Sequence, residues 1–414
     1  MTETLRVSCC IAGGGPAGMM LGFLLARAGI DAVVLEKHAD FLRDFRGDTL
    51  HPSTLEIIYE LGLLDELLKR PHQQLRQFTA QMGDSEIVLA DFTRLSTRCH
   101  FVALMPQWDF LDFLAKQAQR YPTFQLRMRT EVSSLIEDNG RVTGVMAQSP
   151  QGPLEIQADL IVGADGRHSV VRHASGLQVV DLGAPMDVLW MRLSRLASDP
   201  QVILRFKRGK ILATADRGDY WQCGFVIAKG ASEELRCKGI ESLRADIAEI
   251  APFLRNRLEE LRDWNDIRLL TVRIDRLRQW YRPGLLCIGD AAHAMSPIGG
   301  VGINLAIQDA VAAANTLAEP LRNGCVANDH LAAVQRRRAF ATLITQRFQM
   351  IIQKQLVERV LATSDREDLP WPQRLLNRSP LMGWIRRRMI GIGFRPEHIR
   401  TPDYRMAGST GATR

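Results

Sequence analysis

Residues 5–36 read LRVSCCIAGGGPAGMMLGFLLARAGIDAVVLE. Leu5–Ala12 is a short, apolar, β-leaning run that ends on glycines. Pro16–Ala28 then carries apolar residues at helical spacing until Gly29 stops it, and Asp31–Leu35 is a second apolar run closing on Glu36. The stretch is a βαβ unit. Gly13 lets the chain turn tightly out of the first strand, Gly15 leaves the backbone open to a pyrophosphate, and Gly18 lets the helix pack close to the sheet. The helix opens at Pro16 and Ala17, where free N–H groups and a partial positive charge favour phosphate oxygens. Glu36, with Lys37 after it, lies eighteen residues beyond Gly18. A carboxylate at that strand end can accept from both ribose hydroxyls, which favours an adenosine ribose without a 2′-phosphate, FAD or NAD rather than NADP. The bland alternative is a glycine-rich turn that holds nothing.

Two further stretches follow in an informative order. Asp159–Gly163 (DLIVG) reads as a strand that delivers Asp165-Gly166-Arg167. Later, Leu285–Ile288 leads into Gly289-Asp290-Ala291-Ala292-His293, and Pro297-Ile298-Gly299-Gly300-Val301-Gly302-Ile303-Asn304 follows. Asp290 would emerge at a strand end, where ligands bind in open α/β sheets. Gly299, Gly300 and Gly302 leave backbone N–H groups bare beside a helix starting near Ile303. Such donors can face the pyrimidine end of a flavin and stabilise negative charge on the reduced ring. Asp290 could also serve as an N-cap, and His293 reads as an exposed loop histidine or a satisfied turn histidine at least as readily as a catalytic one. Together the three stretches read as pieces of one FAD site.

Around them the chain divides. Helical runs cover Pro52 to about Leu68 and Trp108–Arg120, and a strand pair, Glu131–Ile136 and Arg141–Ala147, turns at Asp138-Asn139-Gly140. From about Leu177 to Asp275, runs such as Val202–Phe206, Ile211–Thr214 and Tyr220–Ile227 alternate as in an antiparallel sheet, followed by one helical insert at about Ile240–Leu261. From Asn304 onward the chain is mainly helical, with a disordered tail at Ala407–Arg414. The expected fold is α/β with α+β elements: a discontinuous Rossmann-like FAD-binding domain (1–76, 101–176, 280–325), an inserted antiparallel-sheet substrate domain (77–100, 177–279) and a helical C-terminal region (326–414).

Composition narrows the function. At 414 residues and 46% hydrophobic content there is ample material for buried cores, and no apolar run is long enough to span a bilayer. The N-terminus does not read as a signal peptide. The seven cysteines are scattered and form no C-x-x-C pair, which suits reduced thiols in the cytoplasm and gives no metal site. The net charge of +7 is spread out, which argues against nucleic-acid binding. The densest basic cluster, Arg386–Arg388, reads first as a solvated helix face and second as a peripheral membrane contact.

The three motifs, in this order, resemble the single-component (class A) FAD-dependent monooxygenases typified by p-hydroxybenzoate hydroxylase, over Val7 to about Leu321. The resemblance implies FAD as cofactor, NAD(P)H and O2 as co-substrates, and hydroxylation of an aromatic or polycyclic small molecule through a flavin C4a-hydroperoxide. It assigns Asp165, Gly166 and Arg167 to FAD and the reductant, and Asp290 to the ribityl chain or ribose. Arg46 and Gln107 would contact the flavin or its phosphates, and Pro297 would lie over the flavin beside Gly299 and Gly300. Val301 stands where the family often has Gln or Lys, and Ile298 replaces a common Thr. No second nicotinamide-binding domain is visible. Lys229 and Arg217 fall in or near the substrate sheet and read as solvated; Trp190, Trp221, Phe206 and Phe225 read as core or pocket lining. A reductase or saturase on the same fold, and a non-catalytic carrier, are the competing readings. Monomer and homodimer are equally compatible.

Overall fold

The computed structural model describes residues 3–42, 49–82, 85–362 and 380–404; Arg46 and the 407–414 tail lie outside them. Its first sheet is built on five parallel strands: β1 (Glu3–Ala12), β2 (Ala32–Glu36), β3 (Phe124–Met128), β4 (Gly152–Gly163) and β5 (Leu285–Cys287). They lie in the order β5-β4-β1-β2-β3. β2 and β5 are buried along their whole length, as expected of strands covered on both faces. Helix α1 (Pro16–Arg27) carries the chain from β1 to β2 on one side, while β4 and β5 lie on the other. The order therefore reverses beside β1, and the crevice outside the carboxyl ends of β1 and β4 is the place where such sheets take ligands.

The strands Glu131–Asp138 and Arg141–Ser149 run antiparallel onto β4. Their turn puts Asn139 at φ 49° and Gly140 at φ 77°, the two left-handed residues a tight hairpin turn requires.

The second sheet has seven strands, in the spatial order Arg268–Leu270, Met186–Ser194, Tyr220–Ala228, Lys210–Asp216, Leu204–Lys207, Gln77–Met82 and Ser85–Asp91. It is antiparallel except where Gln77–Met82 runs parallel to Leu204–Lys207. One face is closed by the helix Ile240–Ile250 and the 3₁₀ segment Pro252–Glu260, burying Leu189, Met191, Trp221 and Cys223 against Leu243, Ile247 and Leu254. The single helix expected over 240–261 breaks at Pro252, which has no N–H to continue the ladder.

Among the described residues three helices follow: α2 (Gly302–Arg322), α3 (Asn328–Ala362) and α4 (Pro380–Gly391). α2 buries a run of alanines, including Ala306, Ala310 and Ala313, so it can lie close to α1 and the sheet. Ile390 and Ile392, at the end of α4 and just beyond it, join a small core with Phe92 and Leu95, while Leu381, Trp384 and Arg388 face outward. Among the described residues no helix is long and apolar enough to cross a membrane.

Candidate functional site

The three glycine-bearing stretches meet at the carboxyl ends of the parallel strands. Ala12 at the end of β1 is level with Gly163 of β4 and Leu35 of β2, and Gly163 is level with Cys287 of β5. Gly13 leaves β1 at φ 106°, and a Cβ there would fall 2.4 Å from the Ala164 carbonyl oxygen. The fingerprint and the Asp165-Gly166 stretch thus touch through backbone. Gly289 sits where a Cβ would be 3.2 Å from both Ala17 of α1 and Ala306 of α2, which brings in the third stretch. Gly18 faces back on the turn, where a Cβ would lie 1.9 Å from the Gly13 oxygen.

Gly15 differs from these glycines. Its backbone is extended (φ −73°, ψ −177°), it N-caps α1 without a side-chain bond, and a Cβ there would meet nothing within 4 Å. Among the described residues the space over the α1 N-terminus is therefore open, and the first turn of a helix offers N–H groups without intrahelical partners, which is the chemistry of a pyrophosphate site. Glu36 stands beside it, its carboxylate accepting from Gly14 N (3.1 Å) and His38 N (3.0 Å). The buried carboxylate is thereby held at the strand end. Lys37 points to Glu131 at 3.6 Å, both more than half exposed.

Asp165 places one carboxylate oxygen on Val170 N (2.8 Å) and Val171 N (3.2 Å), capping the short helix there. Its other oxygen is buried without a hydrogen-bond partner among the described residues. Burial raises its pKa, and the bonds from Ser169 and the helix N–H groups only partly offset that. Gly166 (φ 84°) has nothing within 4 Å of a Cβ. Arg167 is turned toward the Thr271 carbonyl, 3.3 Å away.

In the late loop Gly299 and Gly300 adopt φ 78° and 62°, and Gly302, the first residue of α2, is open on its Cβ side. Asn304 is a knot: Nδ2 donates to the Thr49 and Gly300 carbonyls (3.1 and 3.2 Å), and Oδ1 accepts from His51 N (2.9 Å) and Thr54 Oγ1 (2.7 Å). Its side chain is thus committed to shaping the loop, leaving its backbone and those of Val301 and Ile303 to face a ligand. Thr49 Oγ1 donates to Gly300 O (2.9 Å), closing the knot. Gln107 is buried at the start of the helix Gln107–Ala118, just after a strand that pairs with Thr49–Leu50. Asp290 lies in a 3₁₀ turn directly after β5.

His293 is a core residue. Nε2 donates to Asp309 Oδ2 (2.6 Å), the ring packs at 4.9 Å from Trp280, and the side chain is almost wholly buried. Asp309 also accepts from Gly289 N (3.1 Å) and from Nε of the fully buried Arg338 (2.9 Å). Burial pushes the Asp309 carboxyl up, but His293 and Arg338 outweigh it and hold it below the usual range.

The uncovered face of the second sheet carries Trp190 in register with Gly224, where a Cβ would lie 2.9 Å from the indole ring. Met350 of α3 packs on the same face with Val188 and Val226. Lys229 is ion-paired with the buried Asp187 at 2.7 Å and also donates to Val272 O, so it staples strand ends and is not simply solvated. Arg217 donates to Gln222 (3.1 Å). Trp221 and Phe225 face the covering helices, and Trp221 Nε1 donates to Asp199, which Arg257 grips with both nitrogens. Phe206 sits in a small cluster with Ala80 and Ile211.

Sequence reading passed over Thr49, Asp309, Arg338 and three buried glutamines of α3, Gln346, Gln349 and Gln353. The signal available was polar residues on the buried face of a long helix at spacings of three and four. Among the described residues no group of His, Cys, Asp and Glu gathers as a metal site.

Comparison with known proteins adds the following. The family described as FAD binding domain matches residues 6–348. A 6-methylpretetramide 4-monooxygenase of Streptomyces rimosus is 32% identical over 384 residues, covering 92% of this chain and 91% of the relative. A para-nitrophenol 4-monooxygenase of Pseudomonas sp. is 24% identical over 76% of this chain and 78% of its own. Among solved structures, a p-nitrophenol 4-monooxygenase of Pseudomonas putida superposes with TM-score 0.74 at 19% identity, covering 94% of this chain and 97% of the other. An anhydrotetracycline hydroxylase of Streptomyces rimosus gives 0.73 at 22%, covering 94% and 76%.

Proposed function

The chain belongs to the FAD-binding-domain family of FAD-dependent aromatic monooxygenases, and on that premise we propose which of its residues hold FAD and what it hydroxylates. It is an NAD(P)H-dependent flavoprotein hydroxylase acting on a small aromatic molecule with O2. The bound FAD would supply the redox chemistry, linking NAD(P)H oxidation to the entry of one oxygen atom of O2 into the substrate and release of the other as water.

The bare cradle over Gly15 carries the reading of the site. The α1 N-terminus, with Gly13, Gly15, Pro16, Ala17 and Gly18, receives the pyrophosphate. Glu36 and Lys37 receive the adenosine ribose; Gln107 borders the flavin or its phosphates, and the family resemblance gives Arg46, outside the described residues, the same role. Asp165 and Gly166 border the ribityl chain, and the buried, unpartnered Asp165 oxygen supports a polar contact there. Asp290 faces the ribityl side. Gly300, Val301, Gly302, Ile303 and Asn304 present backbone N–H groups and the α2 N-terminus to the pyrimidine end, favouring negative charge on the ring. Pro297, Gly299 and Gly300 border the reacting face and keep water from it. The division into FAD-binding (1–76, 101–176, 280–325), sheet (77–100, 177–279) and helical (326–414) parts follows from the same reading.

The substrate we propose is polycyclic and electron-rich. The relative of 32% identity over nearly the whole chain, named for 6-methylpretetramide, supports this, as does the broad sheet face on which Trp190 lies flat across Gly224. The protein works as a monomer or homodimer in the cytoplasm, a setting consistent with cysteines that form no disulfide. The test is to purify the yellow protein and follow NADH and NADPH oxidation while screening polycyclic phenols. Oxidation that one of them stimulates, with about one hydroxylated product per reductant, is the expected result. Oxidation that never yields product with any electron-rich ring would count against hydroxylation and favour a reductase.

A further inference from the structure

Three glutamines of α3 spend their amides on one loop. Gln346, Gln349 and Gln353 are 0%, 3% and 1% exposed and fall at i, i+3 and i+7, on one face of the helix. Gln346 Nε2 donates to the carbonyls of Asp275 (2.8 Å) and Ala294 (3.1 Å). Gln349 Nε2 donates to those of Ser296 and Ile298, 3.0 Å each, and Gln353 Nε2 donates to Ser296 Oγ. A single side chain thus grips the carbonyls on either side of Pro297. The amide of Gln349 can face only one way, since two carbonyl acceptors demand the NH₂ group. Its own oxygen is left buried without a partner among the described residues.

Burying amides on a helix is costly unless they bond, and an apolar residue would pack there more cheaply. What the glutamines supply is hydrogen bonds to a loop that has few of its own. Pro297 has no N–H to donate, and the local bonds of the segment include only side-chain or turn contacts such as Ile298 N to Ser296 Oγ (3.3 Å) and Gly300 N to the Pro297 carbonyl (3.0 Å). Met350, the residue after Gln349, packs on the second sheet beside Val188 and Trp190, on the face opposite its covering helix. α3 therefore spans from the Pro297 loop to the sheet face.

We propose that Gln349, with Gln346 and Gln353 beside it, is a positioning residue that locks the Pro297 loop against α3 and so sets the wall on which the flavin ring comes to rest. The inference rests on the reading above that this loop borders the flavin. Gln349 touches neither flavin nor substrate; it acts through the two carbonyls.

The test compares wild type, Gln349→Met and Thr342→Val, using FAD as the probe. Thr342 is an internal control: it is 1% exposed on the same helix and its hydroxyl has no partner. Each apoprotein is titrated with FAD, well below its own Tm, and the visible flavin bands are recorded at saturation. For Gln349→Met the FAD Kd should rise roughly tenfold, as if the competent loop fell to about a tenth of the population. The saturated bands should also lose resolution and approach those of FAD in water. Thr342→Val should change neither. If Gln349→Met does not fold, Gln353→Met, which removes only the outer contact, should give a smaller shift of the same kind, roughly threefold. A Gln349→Met protein with a lowered Tm but wild-type Kd and bands would show that the amide only stabilises the fold, and overturns the proposal. Wild type that takes up no FAD overturns the proposed site and this inference together. Wild type that binds FAD beside indifferent variants overturns the inference alone.

Discussion

The glycines of the fingerprint separate fold from ligand one residue at a time. Gly18→Val would drive a side chain into the Gly13 oxygen, 1.9 Å from where its Cβ must sit, and should destabilise the protein by about 3 kcal/mol or more. At Gly15 an added Cβ meets no atom of the described residues within 4 Å, and the backbone is not left-handed, so Val can be placed there. The Gly15→Val apoprotein should keep the wild-type Tm while FAD binding weakens by roughly a hundredfold or more. A stoichiometric yellow complex of Gly15→Val would remove the cradle from this helix. His51 gives a pH prediction of the same grain. Burial holds its pKa at about 4, against the ordinary 6.5, although Nδ1 donates to the Ile390 carbonyl at 2.6 Å. Between those values the unfolded chain binds a proton that the folded chain does not, so stability falls as pH drops through that window. From pH 7 to pH 5 the His51 share of the loss should be about 2 kcal/mol. Urea unfolding of wild type and His51→Gln at both pH values measures it, and equal losses in the two proteins would refute the assignment. Residue types with a single physical use, such as Gly13 and Gly15, were legible from the sequence. Asn304 was legible as a member of the loop but not as its knot, because its four partners come from residues 49–54 and 300, far apart in the chain.

At the scale of elements, the sequence disclosed what is periodic and local. The βαβ unit, the Asn139-Gly140 hairpin and the alternating strands of the second sheet all lie where their patterns put them. The helix expected over 240–261 did not, since a proline inside a helical pattern ends it whatever the apolar spacing says. The partners of buried charge could not be read either. Arg338 is one of several arginines in its helix, and only the packing of α3 on α2 sets it against Asp309, with neither side chain exposed. Removing one member of such a pair strands the other charge, so Arg338→Met should cost about 3–5 kcal/mol in urea unfolding at pH 7. Asp309→Asn in the same background should recover part of that loss, because the carboxylate stranded at 309 is then gone while Gly289 N and His293 keep an acceptor, and Glu397 keeps Arg337. A double variant no more stable than Arg338→Met alone would mean that the cost is lost packing and not a stranded carboxylate.

For the molecule as a whole, the last described segment ties α3 to the helices packed on the parallel sheet. Residues 393–404 run as a strap across them. The Thr401 carbonyl takes Arg27 Nη1 (2.7 Å), and Asp403 pairs with Arg27 (3.3 Å) and Tyr121 (3.2 Å). Asn315 of α2 donates to His398 O (2.8 Å) and accepts from Arg400 N (2.9 Å). Glu60 accepts from Ile399 N (2.8 Å), Glu397 pairs with Arg337 (2.7 Å), and Tyr404 covers Gly29 beneath the Arg322 guanidinium. No sequence period marks such a segment, since its contacts are scattered bonds to the helix Pro52–Glu60, to α1, α2 and α3, and to the turn at Tyr121. The strap also supplies two partners of the buried Arg338, the Arg395 carbonyl and Glu397. Cutting the chain after Ile392 would therefore uncover the ends of α1 and α2 and leave Arg338 short of acceptors in the core. With a few kcal/mol lost in a protein of this size, the Tm should fall by roughly 10 °C. Asn315→Ala, which removes only the two bonds in the middle of the strap, should lower it by roughly 3 °C. Thermal unfolding of the three proteins decides it. A truncated chain that melts with wild type would mean that the strap merely lies on a half that is already complete, and that the buried charge network is sustained by Asp309 alone.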